Sequence, residues 1–169
     1  MIVRLVGSEM CIRDSLFEGA PKNLKSYDII PLLFISLTII AGTFVSGMDA
    51  GLVYNTFPYM GESIIPIEYG NLGFIDPFEN PVTAQFHHRL LASITLIIII
   101  IYSILYIIRN PINLRILLLL FAIVCQFIIG IFTLLYSVPI TLGAMHQFGG
   151  VLLFLSSIWL LHYPRNKTF

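Results

Sequence analysis

The sequence predicts an all-α membrane protein, a transmembrane four-helix bundle, and three observations lead there. Of its 169 residues 57% are hydrophobic and 11% charged, with a mean hydropathy of +0.92, whereas a soluble domain carries roughly a quarter charged residues. Four apolar runs are each long enough to cross a hydrocarbon core about 30 Å thick at about 1.5 Å per residue. The charges gather between these runs and sort by sign. The 9 basic and 9 acidic side chains leave a net charge of zero, so nothing favours a nucleic acid partner. The two cysteines, Cys11 and Cys125, cannot build a disulfide framework or a thiolate cluster.

Residues 1–15, MIVRLVGSEMCIRDS, have no apolar core long enough for a signal peptide. The string GSEMCIRDS reads as translated adapter or assembly material joined to an incomplete reading frame, which would put the natural start further upstream; a genuine disordered tail is the alternative. Residues 16–169 then carry the fold, with spans at about 29–47, 82–108, 116–136 and 139–161. The first is IIPLLFISLTIIAGTFVSG, and an outer loop at about 48–81 follows it. The second contains Leu96 to Ile101, a run that in isolation suits a buried strand; length decides for helix, because a lone strand in lipid leaves its backbone unsatisfied. The third is ILLLLFAIVCQFIIGIFTLLY and the fourth ITLGAMHQFGGVLLFLSSIWLL, joined by a tight turn from Tyr136 to Pro139.

Charge sets the orientation. Lys22 and Lys25, Arg109 and Arg115, and Arg165 and Lys167 share one side if the helices alternate. The opposite loop holds Asp49, Glu62, Glu68, Asp76 and Glu79 and no lysine or arginine. The positive-inside rule places both termini on the cytoplasmic side or its organellar equivalent.

Ionisable residues inside spans are costly, so each is a functional candidate. Pro81-Val82-Thr83 leads to His88 and Pro139-Ile140-Thr141 leads to His146, with seven residues from proline to histidine in both. Proline suits a first helical turn, so the imidazoles lie at one depth near the outer face, on parallel helices that can be neighbours. In this register His87 matches Met145, which favours His88 over His87. Ala84, Ala92 and Thr95 on one helix and Gly143, Gly149 and Gly150 on the other form small strips beside them. Two facing imidazoles with room for a flat macrocycle suit haem iron; close helix packing alone is the plainer explanation of small residues. Zinc would want a third nitrogen or a carboxylate at the same place. Arg89 suits a haem propionate or, equally, an acid of the loop such as Asp76 or Glu79. His162 beside Trp159 reads as an interface anchor. Cys125 reads as a small core residue, and Gln126 as a bond to a neighbouring helix. The aromatic and proline content of the outer loop (Tyr54, Phe57, Pro58, Tyr59, Phe74, Phe78) suggests a lid over the helix ends rather than a solvated connector.

Three stretches carry a family resemblance: Gly42 to Met60, with the string DAGLVYNTFP; Gln85-Phe86-His87-His88-Arg89; and Gly143-Ala144-Met145-His146-Gln147. Over about residues 27–163 the chain resembles the second half of haem A synthases of the alphaproteobacterial and mitochondrial type. The resemblance implies one half of an eight-helix, two-repeat membrane oxidoreductase that converts the methyl group of haem O to the formyl of haem A for cytochrome oxidase. It implies a b-type haem in this half, with His88 and His146 as axial iron ligands and Arg89, Gly143 and Gly150 around it. Substrate haem O belongs to the missing N-terminal half, without which this half is expected to be inactive. Membrane lipid, that half, and haem O synthase or cytochrome oxidase assembly factors are the implied partners. The implied location is a bacterial inner membrane or the mitochondrial inner membrane, with both termini on the cytoplasmic or matrix side. Where the family often has Asp-His-Arg, this chain has His87-His88-Arg89. A non-enzymatic four-helix cytochrome b or haem-carrying electron-transfer subunit is the alternative.

Overall fold

A computed structural model describes residues 28–161. The segment 1–15, Cys11, Lys22, Lys25, His162, Arg165 and Lys167 lie outside the described residues. Among the described residues four helices, α1 (Ile29–Gly47), α2 (Pro81–Arg109), α3 (Leu114–Leu135) and α4 (Ile140–Leu161), are long and apolar enough to cross a membrane. The bounds of α1 coincide with the expected span, and those of the other three depart from it by at most two residues. The chain is thus a multi-pass membrane protein.

Local chemistry explains where the helices begin. The Asn80 side chain accepts from Val82 N at 3.0 Å and Pro81 occupies the first turn of α2, where a missing N–H costs nothing. Asn113 caps α3 in the same way, through Ile116 N at 3.1 Å. The link between α3 and α4 is tighter than its residues prefer. Ser137 and Val138 take φ of 58° and 53°, left-handed values disfavoured for a β-branched side chain. The turn is held by Val138 N donating to Thr133 O at 2.8 Å and by Thr133 Oγ1 bonding Leu142 O at 3.3 Å.

α1 packs chiefly on α2 and α3 on α4; the two pairs meet along α2 with α3 and α1 with α4. α2 and α4 therefore face each other across the diagonal of the bundle rather than lying side by side. Ile35, Ile99, Tyr102, Tyr106, Ile116, Leu119, Ile123, Leu153 and Leu160 make one buried cluster. On α2 and α4 its members all follow the histidines in sequence, so the cluster fills the half of the bundle remote from the 48–81 loop. Around it, Tyr102 donates to buried Asp28 at 3.1 Å, and Arg115 lies 4.7 Å from the Trp159 ring centroid while donating to Trp159 O at 3.0 Å. The outer half, between this core and the loop, is where the polar residues converge.

Candidate functional site

His88 of α2 and His146 of α4 meet across that diagonal. Their ring centroids are 6.4 Å apart and their planes stand at 85°. Both rings are half-buried. His87, one residue away, turns to the loop instead: Tyr69 Oη lies 3.2 Å from its Nε2, and its ring packs on Tyr69 and Phe86. The seven-residue register thus brings together the two histidines it singled out.

Each imidazole rests on a glycine of its own partner helix. A methyl group at Gly42 of α1 would stand 3.0 Å from His88 Cε1, and one at Gly130 of α3 would stand 2.8 Å from His146 Cε1. Four residues before each glycine, one helical turn away, sits the group that orients the ring. Thr38 O lies 3.1 Å from His88 Nδ1, and Gln126 Nε2 lies 3.2 Å from His146 Nδ1. The four-helix unit therefore repeats one device twice, a histidine on one helix steered and backed by its neighbour. The sequence reading missed Thr38, Gly42 and Gly130; the common spacing Thr38 to Gly42 and Gln126 to Gly130 was the available signal.

The two orienting contacts differ in sense. A carbonyl only accepts, so His88 Nδ1 carries a proton and donates it to Thr38 O, leaving the Nε2 lone pair free. Thr38 is held in turn, its Oγ1 2.7 Å from Thr95 Oγ1. On the other side Gln126 Nε2 donates to His146 O at 2.7 Å, which identifies that end of the amide as nitrogen. An amide nitrogen only donates, so His146 Nδ1 accepts and the proton rests on Nε2. Gln126 Oε1 is buried without a hydrogen-bond partner.

The remaining residues singled out from the sequence lie around this pair. Gly150 is buried and backs Gln126, with a Cβ position 3.5 Å from its Nε2, whereas Gly143 lies against Val138 at 3.8 Å, in the turn region. Arg89 serves the loop: Nη2 donates to Tyr54 O at 2.7 Å, and Nη1 to Thr56 O at 2.8 Å and Tyr59 O at 3.4 Å. Neither Asp76 nor Glu79 takes it. Asp76 is 1% exposed and accepts from Gly70 N and Leu72 N, both at 2.9 Å, from Asn80 Nδ2 at 3.0 Å, and from Thr83 Oγ1. Desolvation alone would raise its pKa, but these donors, Thr83 foremost, outweigh burial and bring it down to about 2. Nearby, a hydrogen bond to Glu68, together with some burial, pushes the Tyr54 phenol above its ordinary value.

The outer loop is thus stitched to the helices rather than free. Gln85 Nε2 donates to Tyr54 O at 3.0 Å, Asn55 Nδ2 reaches Leu134 O at 2.9 Å, and Phe57 packs on Phe127. Of the expected lid aromatics, Phe74 stands out into the surroundings at 94% exposed, and Tyr59 and Phe78 are about half exposed.

Could these residues hold haem? Two metal–imidazole bonds of about 2.0 Å, plus roughly 1.1 Å from each nitrogen to its ring centre, span about 6 Å, close to the observed 6.4 Å separation. Among the described residues no three His, Cys, Asp or Glu side chains converge on one point. A two-imidazole set suits a metal whose other ligands come from a macrocycle.

A sequence model of the COX15-CtaA family, described as cytochrome oxidase assembly protein, matches residues 2–158. The chain belongs to this family. Among curated COX15-CtaA relatives, it is 40% identical over 147 residues to a haem A synthase of Wolbachia pipientis subsp. Culex pipiens (strain wPip), covering 86% of this chain and 43% of that protein. It is 39% identical over 162 residues to the haem A synthase of Rickettsia bellii (strain OSU 85-389), covering 91% and 48%, and 39% identical over 153 residues to that of Pelagibacter ubique (strain HTCC1062), covering 89% and 45%. The chain spans a little under half the length of these relatives. No solved structure matches it.

Proposed function

We propose that this chain is the C-terminal, haem-binding half of a haem A synthase, in which the complete protein oxidises the methyl group of haem O to the formyl of haem A for cytochrome oxidase. The observation that carries the reading is the His88–His146 pair at 6.4 Å across the bundle diagonal, in a chain about 40% identical to haem A synthases. His88 and His146 hold the iron of a b-type haem, which when bound supplies one-electron transfer to the oxidation carried out in the other half. The chain's own contribution is positional. Thr38 fixes the ring of His88, Gly42 and Gly130 let the backbones of α1 and α3 lie against the imidazoles, and Gly149 makes room for Gln126. Arg89, next to His88 in sequence, fastens the loop over the outer end and limits the access of water; its buried Nε, without a partner in the structure, is available to a haem propionate. The complete protein carries a further four-helix half. Haem O synthase or other assembly factors are its partners, in a bacterial or mitochondrial inner membrane with both termini on the cytoplasmic or matrix side.

The test is the absorbance and electron paramagnetic resonance spectrum of purified full-length protein. A low-spin bis-histidine signal that is lost in His88→Ala and in His146→Ala is expected. Full retention of bound haem in both variants overturns the assignment.

A further inference from the structure

The two histidines are not equally prepared for a metal. His88 donates through Nδ1 to a carbonyl and offers Nε2. His146 accepts at Nδ1 from the Gln126 amide nitrogen, 3.2 Å away, so its Nε2 carries the proton and has no lone pair to give. The same side chain keeps Oε1 buried without a partner, in an interior where an unsatisfied amide oxygen is destabilising. One rearrangement frees Nε2 of His146, although it moves the Gln126 amide nitrogen to the position where Oε1 now finds no partner. If the amide turns over and withdraws from His146 O, Oε1 meets Nδ1, the Nδ1 proton gains an acceptor, and Nε2 is freed. The His146 carbonyl, inside α4, keeps its helical hydrogen bond.

We propose that Gln126 is the positioning residue that sets the tautomer of His146, and that iron ligation by His146 requires the Gln126 amide to present Oε1 rather than Nε2 to Nδ1. This rests on the haem-ligation reading above. It follows the general pattern in which a ligating histidine donates its second N–H to an acceptor that fixes its tautomer and raises its basicity. Gly149 and Gly150 of α4 bound the space in which the amide moves: a methyl at Gly149 would run into Gln126 Oε1, and one at Gly150 would stand 3.5 Å from Nε2.

The test uses full-length haem-loaded protein and follows the low-spin signal that His146→Ala removes. In Gln126→Leu, where Nδ1 has no acceptor, haem binding at this site is expected to weaken by about 10–100-fold and the low-spin signal to fall. Gln126→Glu, isosteric and retaining acceptor oxygens, is expected to restore the signal, with a lower midpoint potential and shifted g-values because the acceptor is stronger. If Gln126→Leu fails to fold, the potential and g-values of Gln126→Glu decide alone. Wild-type occupancy, g-values and potential in the folded Gln126 variants, with the signal still lost in His146→Ala, overturn the role of Gln126 and leave the haem reading standing. A signal that survives His146→Ala overturns the ligation reading itself.

Discussion

Gly130 lies so close to His146 that a single methyl group at its position would stand 2.8 Å from the ring carbon Cε1. Real Cβ atoms do not approach a ring this closely, so either the imidazole or the α3 backbone must yield. Gly130→Ala is therefore expected to displace His146 and reduce low-spin haem per protein, with an overpacking cost of about 1–3 kcal/mol. Gly42→Ala, at 3.0 Å from His88, is expected to do the same to a smaller extent. Gly47→Ala meets nothing within 4 Å and serves as the control, leaving the spectrum unchanged. Equal haem content in all three variants would show that the glycines do not shape the site.

Arg89 joins the carbonyls of Tyr54, Thr56 and Tyr59 to α2. Its replacement by alanine leaves these acceptors to find water, at about 1–3 kcal/mol for each that stays buried. Amide hydrogen exchange across residues 54–60 is expected to accelerate in Arg89→Ala, while the helical amides of α3 keep their protection. Unchanged exchange in the loop would mean that Gln85 and Asn55 suffice to hold it.

Asp76 ties residues 70–72 to the start of α2. Its folded pKa, about 2, lies below the ordinary value of 3.8. A depressed carboxylate contributes stability that is present above the unfolded pKa and lost as pH falls through the folded one. Loop protection, taken as exchange relative to its intrinsic rate at each pH, is therefore expected to stay constant down to about pH 4 and to fall between about pH 4 and 2. In Asp76→Asn this acid step should disappear, with faster loop exchange already at neutral pH. A persistent step in that variant would assign it to another acid.

Tyr54 donates to Glu68 at 3.0 and 3.2 Å, which favours the neutral phenol. Its contribution is complete below the ordinary tyrosine pKa and declines as pH rises through the elevated one. Ultraviolet titration should show Tyr54 ionising above the normal range, and Glu68→Gln should bring it back towards 10. An identical titration in Glu68→Gln would remove Glu68 as the cause.

The sequence alone determined the helices, their number and the histidine register. Helix existence in a membrane depends on length and hydrophobicity, both local quantities, and Pro81 and Pro139 place His88 and His146 at equal depth because rise per residue is constant. The motif strings also carried the family. What sequence could not decide was everything that depends on which helix lies beside which. Adjacency follows from packing between segments distant in the chain, so the diagonal placement of α2 and α4, the seats at Gly42 and Gly130, and the orienting contacts from Thr38 and Gln126 appeared only in three dimensions. Arg89 shows the same limit. Its charge drew attention to a propionate or to Asp76 and Glu79, but a guanidinium satisfies itself with whatever acceptors the fold brings into reach, and here three loop carbonyls converge on it while Asp76 is already saturated by its own donors. The tautomers of the two histidines belong wholly to the tertiary structure, because a proton settles on the nitrogen whose neighbour can accept it, and those neighbours are contributed by other helices.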